Sequence, residues 1–120
     1  MVLLCLILQI TQLFLSLHTS SPGIGGSQAT NETSYTNYTR IPVQRQLSLW
    51  GASAGVVVNN NLIQFPQCGA SGATITHVAI GTLVSGAGLV LYEGALNSSL
   101  AVSNLIQPQF SSSALTVTET

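Results

Sequence analysis

The chain has 120 residues, a length typical of one domain, and a formal net charge of −1 at pH 7. Only 4 % of its residues are charged, and it contains two Arg and no Lys. Nucleic-acid-binding surfaces and polybasic membrane patches both require clustered Lys and Arg, so the composition excludes these two classes of partner. Soluble domains normally keep a charged, mixed surface. We therefore expect much of this surface to be covered by neighbouring subunits.

The first half of the chain reads as short strands between turn signals. "LFLSLH" alternates, which places Leu13, Leu15 and Leu17 on one face of a strand and Phe14, Ser16 and His18 on the other. The Gly- and Pro-rich stretch 20–28 is predicted to be a loop. Further strands are predicted over 38–43, where Pro42 favours a sheet edge or a bulge, and over 46–51, 56–58 and 62–65, with a turn at 52–55.

The second half repeats this pattern. "ATITHVAIG" (73–81) and "GLVLYEGAL" (88–96) are rich in strand-forming residues, and "TLVSGAG" between them predicts a hairpin loop. A last strand, "ALTVTET", places Leu115 and Val117 on one face. Several short strands with regular turn signals predict an all-β sandwich or barrel, and of these we expect an antiparallel β-sandwich of the jelly-roll or immunoglobulin-like type.

The N-terminal stretch resembles a signal peptide but has no basic region, because the first Lys or Arg is Arg40. Its apolar run ends at Gln9, well short of the roughly 20 residues that span a bilayer. We expect residues 1–12 to be retained as an arm or added strand, packed on its own sheet or a neighbour's, before a β-sandwich domain over 13–120. Without secretion, the glycosylation triplets at Asn31, Asn37 and Asn97 are expected to carry no sugar.

The cysteines and histidines do not form a metal-binding pattern. Cys5 and Cys68 lie far apart in sequence, and we expect two buried apolar side chains rather than a disulfide bridge. His18 and His77 have no acidic or Cys residues at ligand spacing, so each is expected to be an ordinary strand residue. No metal and no cofactor is predicted.

The order of motifs along the chain resembles a family of small tailed-phage virion structural proteins, often labelled tail fibre proteins. The matching segments, in order, are "LFLSLHTSSPG", "NETSYTNYTRIPV", "LIQFPQCG", "ATITHVAIGTLVSGAGLVLYEGAL" and "ALTVTE". Ser21 stands where the family usually has Asp. The resemblance covers about residues 13 to 119 and implies a virion protein with a structural role.

Six residues are candidates for a structural or interface role. The resemblance marks a motif and two later strand positions, and the lone Trp joins them: Tyr35, Tyr38, Arg40, His77, Tyr92 and Trp50. Buried Tyr rings can direct their hydroxyls to backbone groups, and Arg40 can bind loop carbonyls or pair with Glu32. We expect these residues to maintain the fold rather than contact a ligand.

Catalysis is not predicted, because the chain has no Asp and neither His lies in a motif that activates a nucleophile. A carbohydrate-binding module is the rival class, since Trp50, Tyr35, Tyr38 and Tyr92 offer rings on which a sugar can stack. These aromatics are expected to be core or interface residues instead.

The combined interpretation is a non-enzymatic bacteriophage virion protein on the outer surface of the particle. Its predicted role is capsid decoration, as a cement protein that binds the major capsid protein and copies of itself as a homo-oligomer. This role follows from a compact domain with few charges and no long repetitive shaft. The alternative is a tail or tail-fibre component, with a carbohydrate-binding role as an extension. No small-molecule substrate is predicted.

Overall fold

The structure, a computed structural model, describes residues 12–23, 25–44, 50–53, 56–59, 62–111 and 116–118. Within these ranges no residue is helical and every strand pairing is antiparallel. The strands are β1 (Gln12–His18), β2 (Ile41–Gln44), β3 (Trp50–Ser53), β4 (Val56–Asn59), β5 (Ile63–Gln64), β6 (Ala73–Gly81), β7 (Val90–Val102), β8 (Gln109–Phe110) and β9 (Thr116–Thr118). The predicted all-β, antiparallel class is confirmed.

The described strands form three sheets. The largest has the order β2-β1-β6-β7, and smaller sheets have the orders β3-β4-β9 and β5-β8. Within this part of the chain β2 lies at an edge of the large sheet, as predicted from Pro42, which cannot donate a ladder hydrogen bond. The choice between a jelly-roll and an immunoglobulin-like sandwich stays a prediction.

The core lies on β1 and β6, the two central strands of the large sheet. Leu13, Leu15 and Leu17 are almost completely buried, as the alternation predicts, and they join Ile75 and Phe65 in one apolar cluster. The segment 27–33 contacts β1 as well, through hydrogen bonds to Phe14, Leu17 and His18. Polar side chains on the opposite face of β1, described below, are buried as well.

Several strand boundaries differ from the prediction. β6 covers the predicted residues, but β7 continues past Leu96 to Val102, and β2 begins at Ile41 rather than at Tyr38. The later start has a local cause, because Tyr38 donates its backbone N–H to the carbonyl of Tyr35 and so closes a turn. The short strand β8 was not predicted.

Other predictions fall partly outside the described residues. The predicted strand 46–51 is described only from Trp50, and β3 continues to Ser53 through part of the predicted turn. Residues 1–11 of the predicted arm, Cys5 among them, lie outside the described ranges, and Gln12 begins β1. The division into an arm and a sandwich domain stays a prediction.

Candidate interaction surface

The loop between β6 and β7 carries several exposed apolar side chains. We call residues 82–89 the hairpin tip. Val84 and Leu89 are each 61 % exposed, Leu83 is also exposed, and the tip contains no charged residue. Exposed apolar side chains concentrated on one short uncharged loop are a feature that protein-binding surfaces share.

Arg40 holds the hairpin tip from beneath. Its guanidinium donates from Nη1 to the carbonyl oxygen of Leu83 (3.0 Å) and from Nη2 to that of Gly86 (2.7 Å). It also forms a bidentate salt bridge with Glu32, in which Nε donates to Oε2 at 2.7 Å and Nη2 donates to Oε1 at 2.8 Å. The Arg40 and Glu32 side chains are 3 % and 16 % exposed. The structure contains both of the contacts that the sequence offered as alternatives for Arg40, the pairing with Glu32 and the binding of loop carbonyls.

Tyr38 connects this ion pair to the core strand β1. Its hydroxyl donates to Glu32 Oε2 at 2.6 Å and accepts the backbone N–H of Leu17 at 3.1 Å. Burial and the hydrogen bond to Glu32 both raise the pKa of Tyr38, since each favours the neutral phenol. The hydrogen bond to Glu32 also raises the pKa of Arg40. A continuous polar network therefore leads from β1 to the hairpin tip.

Gln28 holds the tip from a second side. Its side chain is fully buried, and its Oε1 accepts the backbone N–H of Leu83 at 2.9 Å. The side chain lies against Gly81 and Gly88, where an added Cβ would approach its atoms to 2.1 Å and 1.9 Å. Its backbone N–H donates to the carbonyl of Gly88 at 3.0 Å. Gln28 was not among the candidates from the sequence, and the available signal was Gly81, which precedes the hairpin tip, and Gly88 within it.

The aromatic residues form a row through the core. The Tyr35 and Tyr38 ring centroids lie 5.3 Å apart edge to face, Tyr38 stacks on Phe65 at 6.4 Å, and Phe65 meets Phe110 at 6.4 Å. Tyr35 donates its hydroxyl to the carbonyl of Pro66 at 2.7 Å, and burial raises its pKa to about 12. The prediction that these rings are buried with hydroxyls bound to backbone groups is confirmed for Tyr35. A buried Tyr35 ring offers no face to a sugar.

His18 forms a buried pair with Ser16. His18 Nδ1 lies 2.9 Å from the carbonyl oxygen of Thr30, and Nε2 lies 2.8 Å from Ser16 Oγ. A carbonyl only accepts, so Nδ1 carries the proton in neutral His18 and Nε2 accepts from the Ser16 hydroxyl. A Ser hydroxyl that donates to a His ring nitrogen is also the arrangement of a catalytic nucleophile and its base. Here both side chains are 0 % exposed, so no substrate reaches them. Burial lowers the pKa of His18.

The other three candidate residues are described by their positions in the strands. His77 lies on β6 opposite His18, and its Nδ1 is 2.8 Å from Thr76 Oγ1. Tyr92, on β7 opposite Ile80, is partly buried against the core. Trp50 begins β3, in the three-stranded sheet, and only its strand pairing with Asn59 is described. Of the six candidates, the structure groups Tyr35, Tyr38 and Arg40.

The two Asn-x-Thr asparagines occupy left-handed backbone positions. Asn31 has φ 55° and Asn37 has φ 78°. Asparagine tolerates this region better than most residues, so a turn accounts for its presence at both places. Asn31 also donates its side-chain amide to the carbonyl of Ser21 at 3.0 Å. The absence of sugar at these residues stays a prediction.

The one described cysteine packs in the core. Cys68 is a buried free thiol whose Sγ lies 3.3 Å from the carbonyls of Gly69 and Ser71, as expected for a small core residue. Within the described ranges no group of three or more His, Cys, Asp or Glu residues is placed to hold a metal ion. The same part of the chain contains no helix long and apolar enough to cross a membrane.

Comparison with known proteins gives one family. Residues 7–118 match the model of the family described as Podophage GP4 fiber I protein gp80. No curated protein matches the chain. The match includes the hairpin tip and the residues that hold it, so the geometry described above lies within the family's own region of similarity.

Proposed function

Since this chain belongs to the podophage fibre I protein family, a family of phage virion structural proteins, we propose that it is a non-enzymatic subunit of a phage fibre on the outer surface of the particle. The observation that carries the proposal is the hairpin tip. An apolar, uncharged loop is displayed to solvent while a buried ion pair and a buried amide fix its backbone. Such a loop is built to bind a protein surface rather than to perform chemistry.

The mechanism is passive. Covering apolar surface contributes about 25 cal/mol per Å² before the costs of association are subtracted. Ordering a flexible loop at an interface is one of those costs. Because Arg40 and Gln28 already fix the backbone of the tip, little further ordering is required when a partner covers Leu83, Val84 and Leu89.

The chemistry of the described side chains supports a non-enzymatic role. Ser16 and His18 have the geometry of a nucleophile and its base, yet they lie inside the protein. Glu32 has its carboxylate bound by Arg40 and Tyr38. These groups are used to hold strands and loops together.

Capsid decoration is the second candidate, with the major capsid protein as partner. It is favoured by the scarcity of charge, since only Glu32, Arg40 and Glu93 carry charged side chains in the described ranges and the first two neutralise each other. Few charged side chains would then lose their hydration when the chain contacts a broad area of the capsid surface.

Quantitative mass spectrometry of purified virions, combined with antibody labelling in electron microscopy, tests both candidates. A low copy number with label at the tail supports the fibre. A copy number equal to that of the major capsid protein, with label over the head, supports decoration. Absence of the chain from purified virions would overturn both.

A further inference from the structure

One short segment of the chain binds both the core strand β1 and the hairpin tip. We call residues 27–31 the bridging segment. It binds the tip through Gln28, whose Oε1 accepts the N–H of Leu83 at 2.9 Å and whose own N–H donates to a carbonyl of the tip at 3.0 Å. It binds the end of β1 through the carbonyl of Thr30, which lies 2.9 Å from His18 Nδ1. The bridging segment therefore connects His18 to the hairpin tip.

Hydrogen bonds rather than apolar packing hold the bridging segment in place. Its sequence is "SQATN", and the side chain of Ala29, its only apolar residue, is exposed. The fully buried side chain of the segment is the polar amide of Gln28. Segments with few buried apolar contacts open locally at a lower free energy than the rest of a fold, because water replaces their hydrogen bonds. The bridging segment is therefore suited to open while the strands stay folded.

The residues on either side of the bridging segment set limits to such an opening. Gly23 and Gly25, just before it, have φ 76° and 81°, and glycine changes its backbone conformation at little steric cost. Just after it, the carboxylate of Glu32 is bound by Arg40 at 2.7 and 2.8 Å. The N–H of Thr33 then donates to a carbonyl of β1 at 2.9 Å. The glycines can absorb a change in chain direction, while the chain beyond the segment stays attached.

A second proton on His18 works against the closed form. Both ring nitrogens are already used, because Nδ1 donates to Thr30 and Nε2 accepts from Ser16. A proton on Nε2 would force the buried Ser16 hydroxyl to turn away from its acceptor. The positive charge would also be fully buried, and burial is the main cause that lowers the pKa of His18 from 6.5.

The charged groups around His18 compensate poorly for that proton. Glu32, which follows the bridging segment, favours protonation, but its carboxylate already binds Arg40 and Tyr38. Arg40, which precedes β2, and His77, which lies opposite His18 on β6, both oppose protonation. Water can solvate the protonated ring once the bridging segment opens, so protonation stabilises the open form.

We propose that the bridging segment opens when His18 takes up a proton, so that Gln28 releases the hairpin tip while Arg40 continues to bind it. The tip then keeps the hydrogen bonds from Arg40 to the carbonyls of Leu83 and Gly86 but loses those made by Gln28. A loop with fewer internal contacts loses more entropy when a partner orders it. Binding through the hairpin tip is therefore weaker in acid than at neutral pH.

The regulated surface is that of the proposed function, on which the inference rests. The test uses the purified full chain, whereas the proposed function is tested on virions, so the failure of one is distinct from the failure of the other. Hydrogen exchange of backbone amides, followed by NMR and corrected for the intrinsic effect of pH, measures the opening. The amides of Leu83 and Gln28 report on the bridging segment, and those of Thr33 and Leu105 report on contacts that should stay closed.

The protection of the two groups of amides should respond differently to acid. Between about pH 7.5 and about pH 5.5, the protection of Leu83 and Gln28 should fall about tenfold, because each pH unit between 6.5 and the pKa of folded His18 favours the open form by that factor. Thr33 and Leu105 should change less than about twofold. Equal losses at all four amides would show that the whole chain unfolds and would overturn the inference, as would unchanged protection of Leu83.

Two variants identify the group that takes up the proton. His18→Gln has no ionisable ring at this place, so the protection of Leu83 should no longer depend on pH over this range. His77→Gln is the matched control, because His77 pairs with His18 in the register and its replacement should leave the pH dependence in place. The reverse pattern would contradict the inference. If His18→Gln does not fold, the ring signals of His18 in the wild type decide, since they should titrate with the same midpoint as the protection of Leu83, and a different midpoint would refute the coupling.

Discussion

The side chain of Gln28 occupies the space that a side chain at Gly81 would need. A Cβ on Gly81 would lie 2.1 Å from Gln28 Cδ, and Gln28 Oε1 is bound to the backbone N–H of Leu83 just two residues further along the chain. Glycine at the end of β6 therefore permits an amide from a distant loop to reach the hairpin tip.

Gly81→Ala should destabilise the fold by about 1–3 kcal/mol, because the added methyl group displaces the buried amide. Gly94→Ala is the control, since a Cβ there meets nothing within 4 Å. Denaturant unfolding measures both. In a Gln28→Ala background the cost of Gly81→Ala should become smaller, as expected for residues in direct contact. Equal costs in both backgrounds would show that Gln28 does not fill this space.

Glu32→Gln should lower the free energy of unfolding by about 3 kcal/mol, because it leaves the buried guanidinium of Arg40 without its counter-charge. Glu93→Gln is the matched control. Glu93 is exposed and accepts one hydrogen bond from Ser21, so its change should cost less than about 1 kcal/mol. Denaturant unfolding near neutral pH compares the two variants, and similar losses would argue against a structural ion pair under the hairpin tip.

The stability of the protein should fall as the pH drops below 6.5. Burial lowers the pKa of His18 in the folded state, so between that pKa and 6.5 the unfolded chain binds the proton more tightly. Stability is then lost with falling pH, at up to about 1.4 kcal/mol per pH unit. Unfolding measurements across this range give the slope. Nitrogen chemical shifts of the ring should show the proton on Nδ1 at neutral pH, and a proton on Nε2 would contradict the assigned hydrogen bonds.

Alkaline conditions should destabilise the protein through Tyr35. Its pKa is raised from 10.0 to about 12 in the folded state, so above 10.0 the unfolded chain loses the proton first and stability falls as the pH rises. Tyr35→Phe removes this ionisation, so the stability of the variant should fall less steeply as the pH rises. The variant also loses the hydrogen bond to the carbonyl of Pro66. Ultraviolet titration of tyrosinate, followed together with unfolding, checks the sign. If the stability of the variant fell with pH as steeply as that of the wild type, a group other than Tyr35 would cause the loss.

Asn37→Ala should cost about 1 kcal/mol, because Ala tolerates the left-handed backbone at φ 78° less well than Asn does, while Asn37→Gly should be tolerated better. Thermal unfolding of the two variants separates backbone strain from loss of the side chain. If Asn37→Gly were the more damaging change, contacts of the amide rather than the backbone conformation would explain this Asn.

The sequence by itself determined the local features of the fold. Alternation placed Leu13, Leu15 and Leu17 in the core, and the composition of 73–81 gave β6 with its bounds. Both signals are local, since side chains alternate between the faces of a strand and turn residues mark its ends. The order of motifs also led to a phage structural family, which the match over residues 7–118 confirms.

The tertiary structure decided which distant segments meet. Arg40 binds carbonyls 43 and 46 residues further along the chain, and Gln28 reaches across 55 residues to Leu83. No periodic pattern encodes such contacts, because they depend on how strands pair and on space left by glycine. The same reason explains why β8 was missed, since two residues are too short to show alternation and are held by pairing with β5. Arg40 could be suspected from the sequence and Gln28 was not, and only the packed chain shows that both hold the hairpin tip.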